Sequence, residues 1–132
     1  MMKFQILKRQ WNILIVEDDP IIQRIHAVLL QDLGCQVNIV GNGQAALQAH
    51  QENLYDAILM DLGLPDMNGI EIARIIRLRE VDKKKTPIII VTAHTGKDIK
   101  EKCLKNGVNV VLRKPLGEEN LNTILFAIVN KG

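Results

Sequence analysis

Residues 57–61 read Ala57-Ile58-Leu59-Met60-Asp61, and Leu62-Gly63-Leu64-Pro65-Asp66-Met67-Asn68-Gly69 follows at once. An apolar run that ends on an acid and then enters a glycine- and proline-bearing loop is the pattern of a strand buried on both faces, with a polar group at its C-terminal end. Two other runs end in the same manner: Ile13-Leu14-Ile15-Val16 leads into Glu17-Asp18-Asp19, and Ile88-Ile89-Ile90-Val91 into Thr92. A fourth, Val108 to Leu112, is followed by Arg113-Lys114-Pro115. As parallel strands of one sheet, these runs bring several carboxylates, a hydroxyl and an amine to one edge. Such an edge suits a divalent cation and a phosphoryl group.

Between the runs the spacing turns helical. Pro20 opens a helix capped by Asp19, with Ile21, Ile25, Val28 and Leu29 expected on its inner face and Gly34 at its end. Val37–Val40 predicts a shorter, more polar strand, fit for an edge. Helices are expected over 44–52, 70–79, 97–106 and 118–129, and strands over 55–60, 87–91 and 108–112. The region 82–86 reads as a polar connection. Five strands alternating with five helices predict an α/β doubly wound parallel sheet, order 2-1-3-4-5, in a flavodoxin-like three-layer sandwich. Residues 1–12 read as a tail or linker remnant and 13–132 as one domain.

Composition agrees with one globular domain: 132 residues, 47% hydrophobic and 24% charged. Seventeen basic against 15 acidic residues is too balanced for a nucleic-acid footprint. The basic tract from Arg77 to Lys85 reads as a solvated helix end and loop. No apolar stretch approaches the ~20 residues that span a bilayer, and the N-terminus is a poor signal peptide, so a cytoplasmic location is the default expectation. Cys35 and Cys103 are isolated and fit as buried free thiols. His26 and His50 read as surface helix residues, whereas His94, two residues after Thr92, falls near the mouth of the site.

In an open parallel sheet, ligands bind at the C-terminal strand ends where strand order reverses. Glu17, Asp18, Asp19, Asp61, Thr92 and Lys114 all lie at such ends. Asp19 alone fits a helix cap. Mg²⁺ takes oxygen ligands in an octahedron and keeps several waters, which two or three carboxylates satisfy. No Walker loop, dinucleotide fingerprint or Ser/His/Asp set is present.

The stretches Ile13 to Pro20, Met60 to Gly69, Val91-Thr92-Ala93 and Leu112 to Leu116, in this order and separation, resemble the receiver domain of two-component response regulators. The resemblance runs from Ile13 to about Val129. It implies that Asp61 is the phosphoacceptor, receiving its phosphoryl group from a phosphohistidine on a histidine kinase or histidine phosphotransfer domain. It implies an Mg²⁺ site, with Mn²⁺ as a substitute, in which Asp18 and Asp61 bind directly, Glu17 acts through water and the Gly63 backbone carbonyl adds a ligand. Thr92 and Lys114 would contact phosphoryl oxygens, and the Lys114-Pro115 bond would be cis. Gly63 and His94 would flank the water that later hydrolyses the acyl phosphate. Phosphorylation would draw Thr92 inward and readjust the 97–106 helix, the fifth strand and the last helix. Two positions depart from the common pattern. Val111 stands where Tyr or Phe is usual and has no ring to swing, and Glu17 stands where Asp is commoner.

Such a domain performs Mg²⁺-dependent phosphoryl transfer and autodephosphorylation rather than conventional substrate turnover. Of a stand-alone regulator, an excised receiver and the receiver of a hybrid sensor kinase, the segments Leu64–Gly69 and Asn109–Leu116 favour the last. The resemblance also allows a weak homodimer through the last two helices and fifth strand, near Lys105, Val111 and Arg113. The alternatives are a pseudo-receiver that acts only by binding, a metal-dependent phosphatase-like hydrolase, and a flavodoxin-like redox module. Intact acids weigh against the first, and the second has no cap to exclude water. The third needs a hydroxyl-rich loop where this chain has Glu17-Asp18-Asp19.

Overall fold

A computed structural model describes residues 10–80 and 84–130. The elements run β1 (Asn12–Val16), α1 (Pro20–Asp32), β2 (Gln36–Val40), α2 (Gly43–Glu52), β3 (Ala57–Asp61), α3 (Gly69–Arg79), β4 (Ile88–Thr92), α4 (Lys97–Lys105), β5 (Val110–Arg113) and α5 (Leu121–Val129), the last preceded by a 3₁₀ turn at Glu118–Asn120. The strands form one parallel sheet in the order β2-β1-β3-β4-β5. This is the doubly wound, flavodoxin-like architecture that the alternation of runs predicts.

Strand alternation divides the core between the two faces of the sheet. Ile13, Ile15, Ala57, Leu59, Ile89 and Val91 pack with Leu30 of α1 and with Ile124 and Ile128 of α5. Leu14, Val16, Ile58, Met60, Ile88 and Ile90 pack with Ala46 of α2, Ile72 and Ile76 of α3 and Cys103 of α4. Every residue of β3 and β4 is buried, as strands covered on both faces require. Burying each such Ile or Leu contributes about 1.5–3 kcal/mol. Cys35 and Cys103 are buried free thiols.

Several boundaries shift for identifiable reasons. Core packing reaches back to Trp11, which is buried, and β1 starts at Asn12. Tyr55 precedes β3 rather than joining it. It is buried, and its hydroxyl accepts from Asn38 Nδ2 at 2.8 Å. β5 begins at Val110 because the amide of Val108 is committed to the end of α4, donating to the Cys103 carbonyl at 3.1 Å after Gly107 turns the chain at φ +93°. Residues 1–9 of the expected tail, and 81–83 of the basic tract and polar connection, lie outside the described residues. No helix of the described residues is long and apolar enough to cross a membrane.

The inner face of α1 differs from the expected one. Ile21, Ile25 and Val28 are 71%, 39% and 46% exposed, while His26, Ala27 and Leu30 are buried. Apolar residues occupy most of this helix's circumference, so periodicity alone does not choose among its stripes. His26, expected at the surface, is 2% exposed. His50 is half-buried, with Nε2 3.6 Å from Glu80. In α4, Cys103 and Ile99 pack against the core while Leu104 is exposed.

Candidate functional site

The chain leaves β1 toward β2 on one side and returns to β3 on the other, so a crevice opens above the C-terminal ends of β1 and β3. β1 delivers three acids there, and local geometry separates their roles. The Asp19 carboxylate accepts the amides of Ile21 and Ile22 at 2.8 and 3.4 Å, capping α1, while Pro20 needs no acceptor. Asp19 is thereby used by the helix. Glu17 is buried and Asp18 exposed. Gln23 Nε2 fixes the backbone between them by donating to the Glu17 carbonyl at 2.6 Å.

β3 delivers Asp61, 8% exposed. The loop after it folds back tightly, the Gly69 amide donating to the Leu62 carbonyl at 2.7 Å. A Cβ on Gly69 would lie 2.7 Å from the Asp61 carbonyl oxygen, so this close approach requires glycine. Asn68 caps α3 through the Ile70 amide. Asp66 accepts the amides of Gly43 and Gln44 at 2.7 and 2.9 Å, which ties the loop to the start of α2 and holds its pKa below the ordinary carboxylate value. Gly63 donates its amide to Asp61 Oδ1 at 3.4 Å, and a side chain there would meet nothing within 4 Å. That flank of Asp61 is therefore open.

β4 and β5 supply the rest. Thr92 pairs with Arg113, so Lys114 begins one residue beyond the sheet, where its amide donates to the Thr92 carbonyl at 3.0 Å. The Lys114-Pro115 bond is cis. Lys114 Nζ donates to Glu17 Oε1 at 2.9 Å and lies 3.2 Å from Asp61 Oδ1. Thr92 is buried, and its Oγ1 accepts the His94 amide at 3.2 Å. The His94 side chain is exposed beside a hollow that it shares with Thr95, Lys97 and Arg113. Val111 is half-buried and packs into the core on the α2–α4 side.

Ligand oxygens of Glu17, Asp18 and Asp61 all lie within 4.8 Å of one another. Among the described residues, three carboxylates face the one ammonium of Lys114, which leaves two formal negative charges uncompensated. Burial raises the pKa of Glu17, and the bond from Lys114 offsets only part of that rise. Burial also works against the Lys114 ammonium, but the bond to Glu17 and the charge of Asp61 outweigh it and lift its pKa. An all-oxygen donor set, with exposed Asp18 leaving one side to solvent, fits a hard divalent cation that retains water. The structure thus gathers Glu17, Asp18, Asp61 and Lys114 directly, and brings Thr92 and Gly63 to their edge. Gln23, Asp66 and His26 also buttress the site, the last by accepting the Leu116 amide, and no sequence motif marks them in that role. Their contacts are to backbone groups, which leave no residue pattern.

The family model described as the response regulator receiver domain matches residues 13–126. The signal transduction histidine-protein kinase BarA of Escherichia coli K12 is 34% identical over 119 residues, which cover 90% of this chain but 13% of that protein. A solved receiver domain of the sensor histidine kinase PA1611 from Pseudomonas aeruginosa PAO1, with a magnesium ion coordinated in its active-site cleft, superposes with a TM-score of 0.80 at 35% identity, covering 92% of this chain and 100% of that one. The receiver domain of Ssk1, solved with the Saccharomyces cerevisiae histidine phosphotransfer protein Ypd1, gives 0.78 at 33% identity, covering 88% and 86%. The chain belongs to the response regulator receiver domain family, and Glu17, Asp18 and Asp61 form the acidic cluster typical of that family's phosphoacceptor site.

Proposed function

We propose that this domain takes a phosphoryl group from a phosphohistidine partner onto Asp61 and presents the result as an altered protein-binding surface. The observation that carries this reading is the position of the Asp61 carboxylate, nearly buried yet beside an open flank, 3.2 Å from the Lys114 ammonium and clustered with two further acids. In the transfer, an Asp61 carboxylate oxygen forms a bond to phosphorus while the P–N bond to the donor imidazole breaks. The imidazole leaves with the electron pair and takes up a proton. Lys114 stabilises oxygen charge on the moving phosphoryl group, and Thr92 Oγ1 exchanges its bond from the His94 amide for one to a phosphoryl oxygen. Glu17, Asp18, Asp61 and the Gly63 carbonyl would hold Mg²⁺, which when bound supplies charge neutralisation of the phosphoryl oxygens. Water later attacks phosphorus along the flank between Gly63 and His94, releasing inorganic phosphate and restoring the carboxylate.

The donor must reach Asp61 from the open edge, and α1 starts at that edge. Its exposed stripe Ile21, Ile25 and Val28, with Leu29 and Leu121 beside it, offers an apolar seat to a histidine kinase or histidine phosphotransfer domain. The share of BarA that this chain matches supports a place within a hybrid sensor kinase. Thr92 then drives readjustment of α4 and β5, with Val111 contributing packing rather than a swinging ring. Acetyl phosphate with Mg²⁺ tests the chemistry. Intact mass should rise by one phosphoryl group, and Asp61→Asn should abolish the adduct. Labelling of the variant at the parental rate would refute the assignment.

A further inference from the structure

His26 contributes no group to the transfer itself, yet it binds the turn that carries the Lys114 ammonium. It is 2% exposed on the inner side of α1, and its Nε2 accepts the amide of Leu116, itself buried, at 3.1 Å. Leu116 ends a short turn whose other end is also anchored. The Lys114 amide donates to the Thr92 carbonyl at 3.0 Å, and Pro115 between them has no N–H to offer. The turn is thus held on β4 by Thr92 and on α1 by His26. From it the Lys114 side chain reaches 2.9 Å to Glu17 and 3.2 Å to Asp61.

A backbone amide only donates, so Nε2 must present its lone pair and the imidazole must be the neutral form protonated at Nδ1. Burial, with the Lys114 charge adding to it, lowers the His26 pKa to about 4 and keeps the ring neutral near pH 7. An apolar side chain would fill this place as Ala27 and Leu30 fill theirs, but it would leave the buried Leu116 amide without an acceptor. A lysine has a flexible four-carbon stem, so the reach of its ammonium depends on where its backbone is held.

We propose that His26 is a positioning residue for phosphoryl transfer, a neutral acceptor that holds the Lys114–Leu116 turn against α1 and so keeps the Lys114 ammonium beside Asp61. The proposal rests on Asp61 being the phosphoacceptor. It is tested by initial rates of acetyl phosphate labelling with Mg²⁺ for the parent, Asp61→Asn, His26→Leu, His26→Gln, Lys114→Met and the double variant His26→Leu/Lys114→Met. Loss of labelling in Asp61→Asn verifies the underlying assignment independently of His26. His26→Leu should then slow labelling about tenfold, and His26→Gln, which keeps an acceptor, should recover most of the rate. His26→Leu should add no further loss when Lys114 is already Met. A parental rate in His26→Leu, or an equal loss with and without Lys114, overturns the proposal while leaving Asp61 in place. Should His26→Leu not fold, ¹⁵N shifts of the imidazole in the parent decide. A bare Nε2 with protonated Nδ1 supports the proposal, and a protonated Nε2 defeats it.

Discussion

The two ends of the sheet carry similar charged groups in opposite states of satisfaction. At the N-terminal end, Glu80 is buried, its Oε1 accepting from Arg77 Nη1 at 2.5 Å and its Oε2 from the Thr86 amide at 3.0 Å. Arg77 also donates to the Gly107 carbonyl and to Asn109 Oδ1, and Asn109 in turn accepts the Ile88 amide. That network ties α3 to the starts of β4 and β5. Burial opposes the Glu80 carboxylate, but these bonds prevail and depress its pKa. At the C-terminal end, Glu17 is equally buried, and there burial prevails and raises its pKa, the charge of Asp61 adding to the rise and the bond from Lys114 offsetting only part of it. Buried charge at one end is thus structural, with its partners supplied by the fold, whereas at the other end the described residues gather three acids around one lysine, a cluster poised for a divalent cation.

This contrast can be broken most forcefully at the closed end. Glu80→Ala strands Arg77 and the Thr86 amide and should cost about 3 kcal/mol of stability by urea unfolding, with little change in the labelling rate of Asp61. A large fall in labelling, measured where the variant is still folded, would mean that the two ends are not independent.

The open end should respond to metal. Saturating Mg²⁺, at about one hundred times its dissociation constant, should stabilise the parent by about 2.7 kcal/mol, and Asp18→Asn should lose most of that gain. Without metal, the same variant should be neutral or stabilising by up to about 1 kcal/mol, because it removes one of the crowded like charges. A destabilised metal-free Asp18→Asn would contradict the view that this end is short of positive charge.

A pH titration probes the α1 side of the same site. His26 has a folded pKa near 4 against an ordinary 6.5, so the unfolded chain binds more protons between those values. Its contribution to stability is fully present above about pH 6.5 and is lost as pH falls toward 4. A folded His26→Leu variant should show a shallower decline of melting temperature across that window than the parent.

Much of this was legible because each link needed only local chemistry. Four apolar runs ending in polar groups specify buried parallel strands, and the acids that follow β1 and β3 must then meet at the point where strand order reverses. Asp19 as a cap, and the glycine and proline that punctuate the loop after Asp61, follow from backbone rules alone. What was not legible depends on packing between distant segments. Ile21, Ile25 and Val28 have a helical period as good as that of the buried stripe, so the outward turn of that face is set by what lies beneath α1. His26 is hidden because its partner is a backbone amide 90 residues away. His50 is partly covered for a similar reason, through Glu80 across the fold.

Which side chain carries the phosphoryl group is read out by chemical site mapping. The domain is phosphorylated with acetyl phosphate and Mg²⁺, reduced with borotritide, which converts an aspartyl phosphate to homoserine, and digested for sequencing. Tritiated homoserine at position 61 is the predicted result. Label at position 18, or phosphate retained on a histidine with none at 61, would contradict the account.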